Sequence, residues 1–190
     1  MSAYIRTQGK LLEKPKYIKE YLESVTHKIC AIDVPEWRDY FLYIAVVASS
    51  RSKDSQTQHG CVITDSNNKI LGVGYNSFPR DMPDNLLPNL RPEKYKWMVH
   101  AERNALSNCT QRPENGTAYI TGPPCLDCAK SLYQEGIKNF ICVKGHSTHL
   151  KDEEDDIVFE MLINFGNINV EFIEPDFTKI LDRIKDFSNE

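Results

Sequence analysis

Apolar residues change their spacing along this chain from helical to alternating and back, and those changes mark out its elements. Behind Pro35 and Glu36, residues Trp37, Tyr40, Phe41, Ile44 and Val47 recur at helical intervals, predicting a helix through Ser50 with that stripe in the core. Cys61–Thr64 and Ile70–Tyr75 are strand-like, separated by the polar run 65–69, and read as an antiparallel hairpin. From Ser77 to Met98 the periodicity disappears, across a stretch with four prolines. Loops of that length inside a domain are usually lids or ligand loops. Pattern resumes with a helix over 100–109, a strand over 118–121 and a helix over 125–135 closed by Gly136 as its C′ residue. A strand over 140–143, a helix over 153–165, a strand over 170–173 and a helix over 178–187 complete the chain.

A hairpin followed by alternating helix and strand predicts one α/β domain over 35–190. Its expected form is a three-layer α/β/α arrangement on a five-stranded mixed sheet, the hairpin first and parallel strands after it. Ligands of such sheets sit beyond the carboxyl ends of strands, where Asn76 leaves the hairpin and Thr121 leads into Pro123-Pro124-Cys125. Residues 1–34 stand ahead as an extension, partly helical, because Tyr17, Ile18, Tyr21, Leu22 and Val25 repeat at helical spacing.

Charge narrows the partners. The net charge of −4 is uneven: residues 1–30 hold six Lys/Arg against three Asp/Glu, and residues 151–190 hold four against twelve. Nucleic-acid binding usually needs a broad basic face, so it is not expected, whereas a small anionic substrate needs only a few local cations. No apolar run reaches the roughly 18 residues of a membrane span, and the polar start lacks a signal-peptide core. The six cysteines have no disulfide-framework spacing; Cys30, Cys61, Cys109 and Cys142 read as reduced, mostly buried thiols of a cytoplasmic protein.

The remaining cysteines carry the chemistry. His100, Cys125 and Cys128 are three metal ligands, and a catalytic zinc site uses three with a fourth position open to water. Cys125 and Cys128 stand i and i+3 at a helix start, on one side of it, and Pro124 suits a chain entering a helix. His100 begins another helix, so two helix starts are expected to face each other across the ion. Glu102, two residues on, is the natural proton carrier. A Cys-x-x-Cys alone is equally a redox pair or half of a structural zinc site, and a non-catalytic zinc scaffold would not need Glu102. His146 and His149 offer a further, weaker metal pair.

His-x-Glu followed by Pro-Cys-x-x-Cys is the signature of zinc nucleobase deaminases, and the segment resembles the cytidine and deoxycytidylate deaminase superfamily. Arg51-Ser52-Lys53-Asp54, Gly74-Tyr75-Asn76, the long insertion before His100 and Gly136-Ile137-Lys138 look like the deoxycytidylate (dCMP) deaminase family, over residues 36–175. The resemblance implies zinc-dependent hydrolytic deamination of dCMP to dUMP with release of ammonia, the dUMP feeding thymidylate synthesis. It implies one catalytic Zn2+ on His100, Cys125 and Cys128, proton transfer by Glu102, the Ala101 amide at the base carbonyl and Asn76 at the sugar hydroxyl. Arg51 would bind the phosphate, with Lys53 second, since an arginine can hold two phosphate oxygens at once. Such enzymes are commonly homo-oligomers, hexamers above all, and are controlled by dCTP and dTTP, with Mg2+ accompanying the triphosphate. The corresponding effector loop here is Tyr75, Ser77 and Phe78. Serine at 77 replaces the glycine of the usual Gly-Tyr-Asn-Gly and lacks its access to positive φ. Related substrates stay open at this point: dCTP or other cytosine nucleotides, and adenosine in RNA.

Overall fold

The computed structural model describes residues 33–145 and 153–188, the strands β1 (Tyr4–Thr7) and β2 (Lys10–Glu13), and Ile18, Glu20 and Glu23. Met1–Val34 and Pro35–Glu190 form separate compact units. In the first, β1 and β2 pair antiparallel, Tyr4 opposite Glu13 and Thr7 opposite Lys10. The sequence reading missed this hairpin, because four-residue runs are too short to display an alternation. Ile18, Glu20 and Glu23 are helical. Tyr17, Tyr21, Leu22, Val25 and Cys30 lie outside the described residues, as do His146 and His149.

The second unit is built on α1 (Trp37–Ser49), β3 (Gly60–Thr64), β4 (Ile70–Tyr75), α2 (Ala101–Ser107), β5 (Thr117–Ile120), α3 (Leu126–Gln134), β6 (Asn139–Val143), α4 (Glu153–Gly166), β7 (Asn169–Ile173) and α5 (Thr178–Ser188). The strands lie in the order β4-β3-β5-β6-β7. β3 is antiparallel to both β4 and β5, and the β5–β6 and β6–β7 pairs are parallel. This is the expected five-stranded mixed sheet.

Strand alternation divides the core between the two faces. Cys61 and Ile63, Ala118 and Ile120, Phe140 and Cys142 pack on one face with Ala105 of α2, and with Ala129 and Leu132 of α3. Their neighbours Val62, Tyr119 and Ile141 pack on the other with Phe41, Leu42 and Ala45 of α1. The predicted core stripe of α1 therefore needs correcting. Its buried residues are Phe41, Leu42 and Ala45, while Trp37, Tyr40 and Val47 stay exposed. Periodicity weighs large apolar side chains, whereas burial against a sheet also favours a small residue where the backbones draw close.

The Ser77–Met98 insertion is irregular apart from two 3-10 turns, Asp84–Leu86 and Glu93–Lys96. Its ends are clipped by an antiparallel bridge, Ser77 N–H to Val99 O at 3.0 Å and Val99 N–H to Ser77 O at 2.8 Å. Its middle is strapped to residues 53–57. Asn89 Nδ2 donates to Lys53 O at 2.7 Å, and the Arg91 amide donates to Gln56 Oε1 at 3.0 Å.

Candidate active site

Two helix starts converge on the carboxyl end of the sheet. α2 lies flush against β4: a Cβ added at Gly74 would sit 2.2 Å from Ala105 N and 2.4 Å from Ala101 O. Only glycine admits this approach. His100 is the N-cap of α2 and Cys125 the N-cap of α3, both with extended backbone and neither capping its own helix with its side chain. Those side chains turn towards each other. Cys125 Sγ and Cys128 Sγ each stand 3.4 Å from His100 Nδ1, and the three ligand atoms lie within 4.8 Å of one another.

This donor set fits zinc. Ordinary Zn–S and Zn–N bonds at tetrahedral angles separate sulfur from nitrogen by roughly 3.5 Å, which is the spacing found. The charges agree as well. Cys125 is held down to about 4, chiefly by its hydrogen bond with Cys128 and then by His100, against the opposing effect of burial. Cys128 is pushed up by the same bond and by burial. His100 is raised by its hydrogen bond with Cys125, against burial. Glu102, in the first turn of α2, is 6% exposed, and burial lifts its carboxyl above the usual range. A carboxyl so placed can take up a proton and give it back.

His100, Ala101, Glu102, Cys125, Cys128 and Asn76 all line one cavity of about 660 Å³. Asn76 is more tightly engaged than a free sugar ligand would be. Its Nδ2 donates to Thr57 O at 2.9 Å and to Asp54 Oδ2 at 3.2 Å, and its Oδ1 accepts from the His59 amide at 2.7 Å. One lone pair of Oδ1 remains for a hydroxyl donor. Ala101 opens α2, where an amide has no acceptor within the helix.

The expected phosphate residues are elsewhere. Arg51 and Lys53 line a second cavity of about 300 Å³, together with Tyr75, Ser77, Phe78 and Arg80, and Lys53 pairs with Asp84. The two cavities share a wall. Asp54, Asn76 and Arg103 line the zinc side, and Lys53, Tyr75, Ser77 and Asn104 line the other. Neighbours in an extended chain point to opposite sides, so adjacency to Asp54 or Asn76 in sequence does not place a residue in the same cavity.

Sequence reasoning also missed several residues on the zinc side. Lys94 is 2% exposed, and its Nζ donates to Asp54 at 2.6 and 2.7 Å. Burial alone would raise Asp54; Lys94 and the Gln56 and Thr57 amides more than offset it, leaving its carboxyl below the ordinary value. Arg91, Thr57, His59 and Tyr95 line the same cavity. A buried lysine inside an irregular, proline-rich stretch announces itself by no periodicity, and Lys is rarely buried unless paired.

Residues 35–144 match the profile of the cytidine and deoxycytidylate deaminase zinc-binding region. The chain belongs to that family. A deoxycytidylate deaminase of Mus musculus is 34% identical over 156 residues, covering 78% of this chain and 86% of its own length. The Homo sapiens deoxycytidylate deaminase matches with the same identity and the same coverage. In fold, the chain resembles the apo dCMP deaminase of cyanophage S-TIM5, with a TM-score of 0.54 and 21% identity over 74% of this chain and all of that one. The deaminase profile runs from α1 through β6, so it spans both helix starts and both cavities. Among the described residues no helix is long and apolar enough to cross a membrane.

Proposed function

We propose that Pro35–Glu190 carries a hydrolase that converts dCMP and water to dUMP and ammonia. The observation that carries this reading is the His100–Cys125–Cys128 cluster with buried Glu102, in one nucleotide-sized cavity. The chain's identity to mammalian deoxycytidylate deaminases over most of its length selects the substrate.

One zinc ion on His100, Cys125 and Cys128 would supply the Lewis acid that makes water nucleophilic near neutral pH. Glu102 accepts a proton from the attacking water as the water oxygen adds to C4 of the base, and delivers the proton to N3. It then carries the second proton to the amino nitrogen, the C4–N bond breaks, and ammonia leaves with C4 as a carbonyl. The Ala101 amide holds the base carbonyl, and Asn76 Oδ1 accepts from the sugar hydroxyl. Burial of Glu102 keeps these protons from bulk water.

The second cavity suits an effector. Arg51, Lys53 and Arg80 can gather around a triphosphate such as dCTP or dTTP with its Mg2+, beside Tyr75, Ser77 and Phe78. Exposed Ile157, Met161 and Phe165 on α4, with Leu181, Ile184 and Phe187 on α5, support assembly into a homo-oligomer, a hexamer by family resemblance. Thiolate ligands, and the absence of a disulfide among the five cysteines of the described residues, suit a reducing compartment, the cytoplasm.

The test is ammonia release from dCMP, deoxycytidine, dCTP, cytosine-containing DNA and adenosine-containing RNA, by protein of known zinc content. Fastest turnover of dCMP supports the reading. Preference for RNA, or no release from zinc-loaded protein, overturns it.

A further inference from the structure

We propose that Arg91, backed by Thr57, is the phosphate-binding element of the zinc cavity and sets its preference for nucleotide over nucleoside. The inference rests on the dCMP reading and deepens it. An anionic substrate needs a cation on the same cavity as its base, which removes Arg51 and Lys53.

Among the described residues, three Lys/Arg side chains line the zinc cavity: Arg91, Lys94 and Arg103. The Lys94 charge is already matched by both oxygens of Asp54. Arg103 follows Glu102 on α2, beside the proton carrier, whereas the phosphate of a nucleotide stands a whole sugar away from the reacting carbon. Arg91 remains, and it is held in place. Its Nη2 donates to Thr57 Oγ1 at 2.8 Å, its guanidinium lies 5.7 Å over the Tyr95 ring, and its amide is fixed to Gln56. A side chain ordered before binding loses less entropy when a ligand arrives.

The unused guanidinium donors can take two phosphate oxygens at once. Thr57 Oγ1 accepts from Arg91 and keeps its own O–H to donate to a third. Both residues hang on one anchor. Asp54 Oδ1 accepts the Thr57 amide at 3.0 Å and the Lys94 ammonium, and Lys94 lies three residues after Arg91 in the insertion. Because Lys94 neutralises Asp54, the wall presents a net positive charge to the phosphate. The insertion thus supplies the group that reads the 5′ end, and the zinc motif reads the base.

The experiment measures calorimetric affinities of zinc-loaded protein for the products dUMP and deoxyuridine, with ammonia release from dCMP and deoxycytidine alongside. Losing a charge-assisted contact lowers affinity by roughly 10- to 150-fold. Arg91→Ala should narrow the dUMP-over-deoxyuridine preference by that factor and raise the dCMP KM with kcat little changed, and Arg91→Lys should recover part. An unchanged preference, or equal losses on the phosphorylated and unphosphorylated ligands, overturns the assignment of Arg91 while leaving dCMP deamination standing. Wild-type protein that binds dUMP but releases no ammonia from dCMP would instead sink the proposed reaction and leave Arg91 to be judged on the affinities. Equal zinc content and circular dichroism of the variants exclude misfolding as the cause.

Discussion

The two cavities lie back to back across a wall formed by residues 51–54, 74–77 and 103–104, yet they are built differently. On the zinc side a buried, mutually bonded set stands behind the exposed Arg91 and Arg103: Lys94 to Asp54, Asp54 to Asn76, Asn76 to the His59 amide. On the other side the cations Arg51, Lys53 and Arg80 are exposed, and Lys53 and Arg80 make surface contacts with Asp84 and Asn108. A fixed wall suits a reaction that needs one geometry, because catalysis depends on placing groups before the substrate arrives. A loose, cationic one suits reversible capture of a charged ligand. Substitutions on the two sides should therefore fail in different ways.

The largest separation is expected at Glu102. Glu102→Gln keeps the shape of the side chain and removes its proton transfer, which contributes roughly 10²–10⁴ in rate. Deamination should fall by that much with zinc content unchanged, since His100, Cys125 and Cys128 are untouched. Near wild-type turnover would refute the role. Cys125→Ala should do the reverse, lowering metal content itself, and a fully zinc-loaded, active Cys125→Ala protein would refute the ligand set.

Next in size is the buried pair. Removing one partner of a buried ion pair typically costs about 3–5 kcal/mol, so Lys94→Met should lower unfolding free energy by that order, measured in denaturant. A loss below about 1 kcal/mol would place the pair among surface bridges. The acid dependence has a definite sign. Asp54 is lowered in the folded protein from its ordinary 3.8, so its contribution is complete above that value and is lost as pH falls through the folded value. The stability difference between wild type and Asp54→Asn should shrink only in that acid window. A difference that shrank instead on raising the pH would contradict the pairing.

How much of this was legible in the sequence follows from the same contrast. The His100, Cys125 and Cys128 cluster with Glu102 beside it was readable because helix starts impose short, fixed spacings, and the five-stranded mixed sheet followed from alternating elements. The side of the wall was not. Arg51 and Asp54 are three residues apart and line different cavities, which depends on how the chain turns after α1. Lys94 and Arg91 were invisible for another reason: their partners, Asp54 and Thr57, lie 40 and 34 residues away, and nothing local marks them. The β1–β2 hairpin failed through shortness alone.

A smaller effect is expected on the loose side. If Arg51 belongs to effector binding, Arg51→Ala should weaken the response of the dCMP saturation curve to dCTP or dTTP by about tenfold, the size of one exposed charge-assisted contact. Turnover without effector should hold, because Arg51 does not line the zinc cavity. Read in titrations of each triphosphate, a drop in basal dCMP use with unaltered effector response would return Arg51 to the substrate.

The smallest concerns Ser77, where family resemblance suggested a glycine. The described residues with positive φ outside glycine are Asn68, Asp81, Asn115 and Asn167, so Ser77 holds an ordinary backbone. It pairs with Val99, its hydroxyl donates to Phe78 O at 2.9 Å, and it accepts from Asn104 Nδ2 at 3.1 Å. Asn104 Nδ2 also donates to Tyr75 O at 2.8 Å and keeps that bond without the serine. Ser77→Gly therefore frees a strand-like backbone, which costs about 0.5–1 kcal/mol, and gives up one partly exposed hydrogen bond. For a chain of this length the melting temperature should drop by about 2–4 °C per kcal/mol lost. Effector sensitivity should be unchanged, because no left-handed conformation is being restored. A variant that melts higher than wild type, or that responds to dCTP much more strongly than wild type does, would mean that the serine strains this loop, and that the second cavity is shaped by residue 77 more than by its cations.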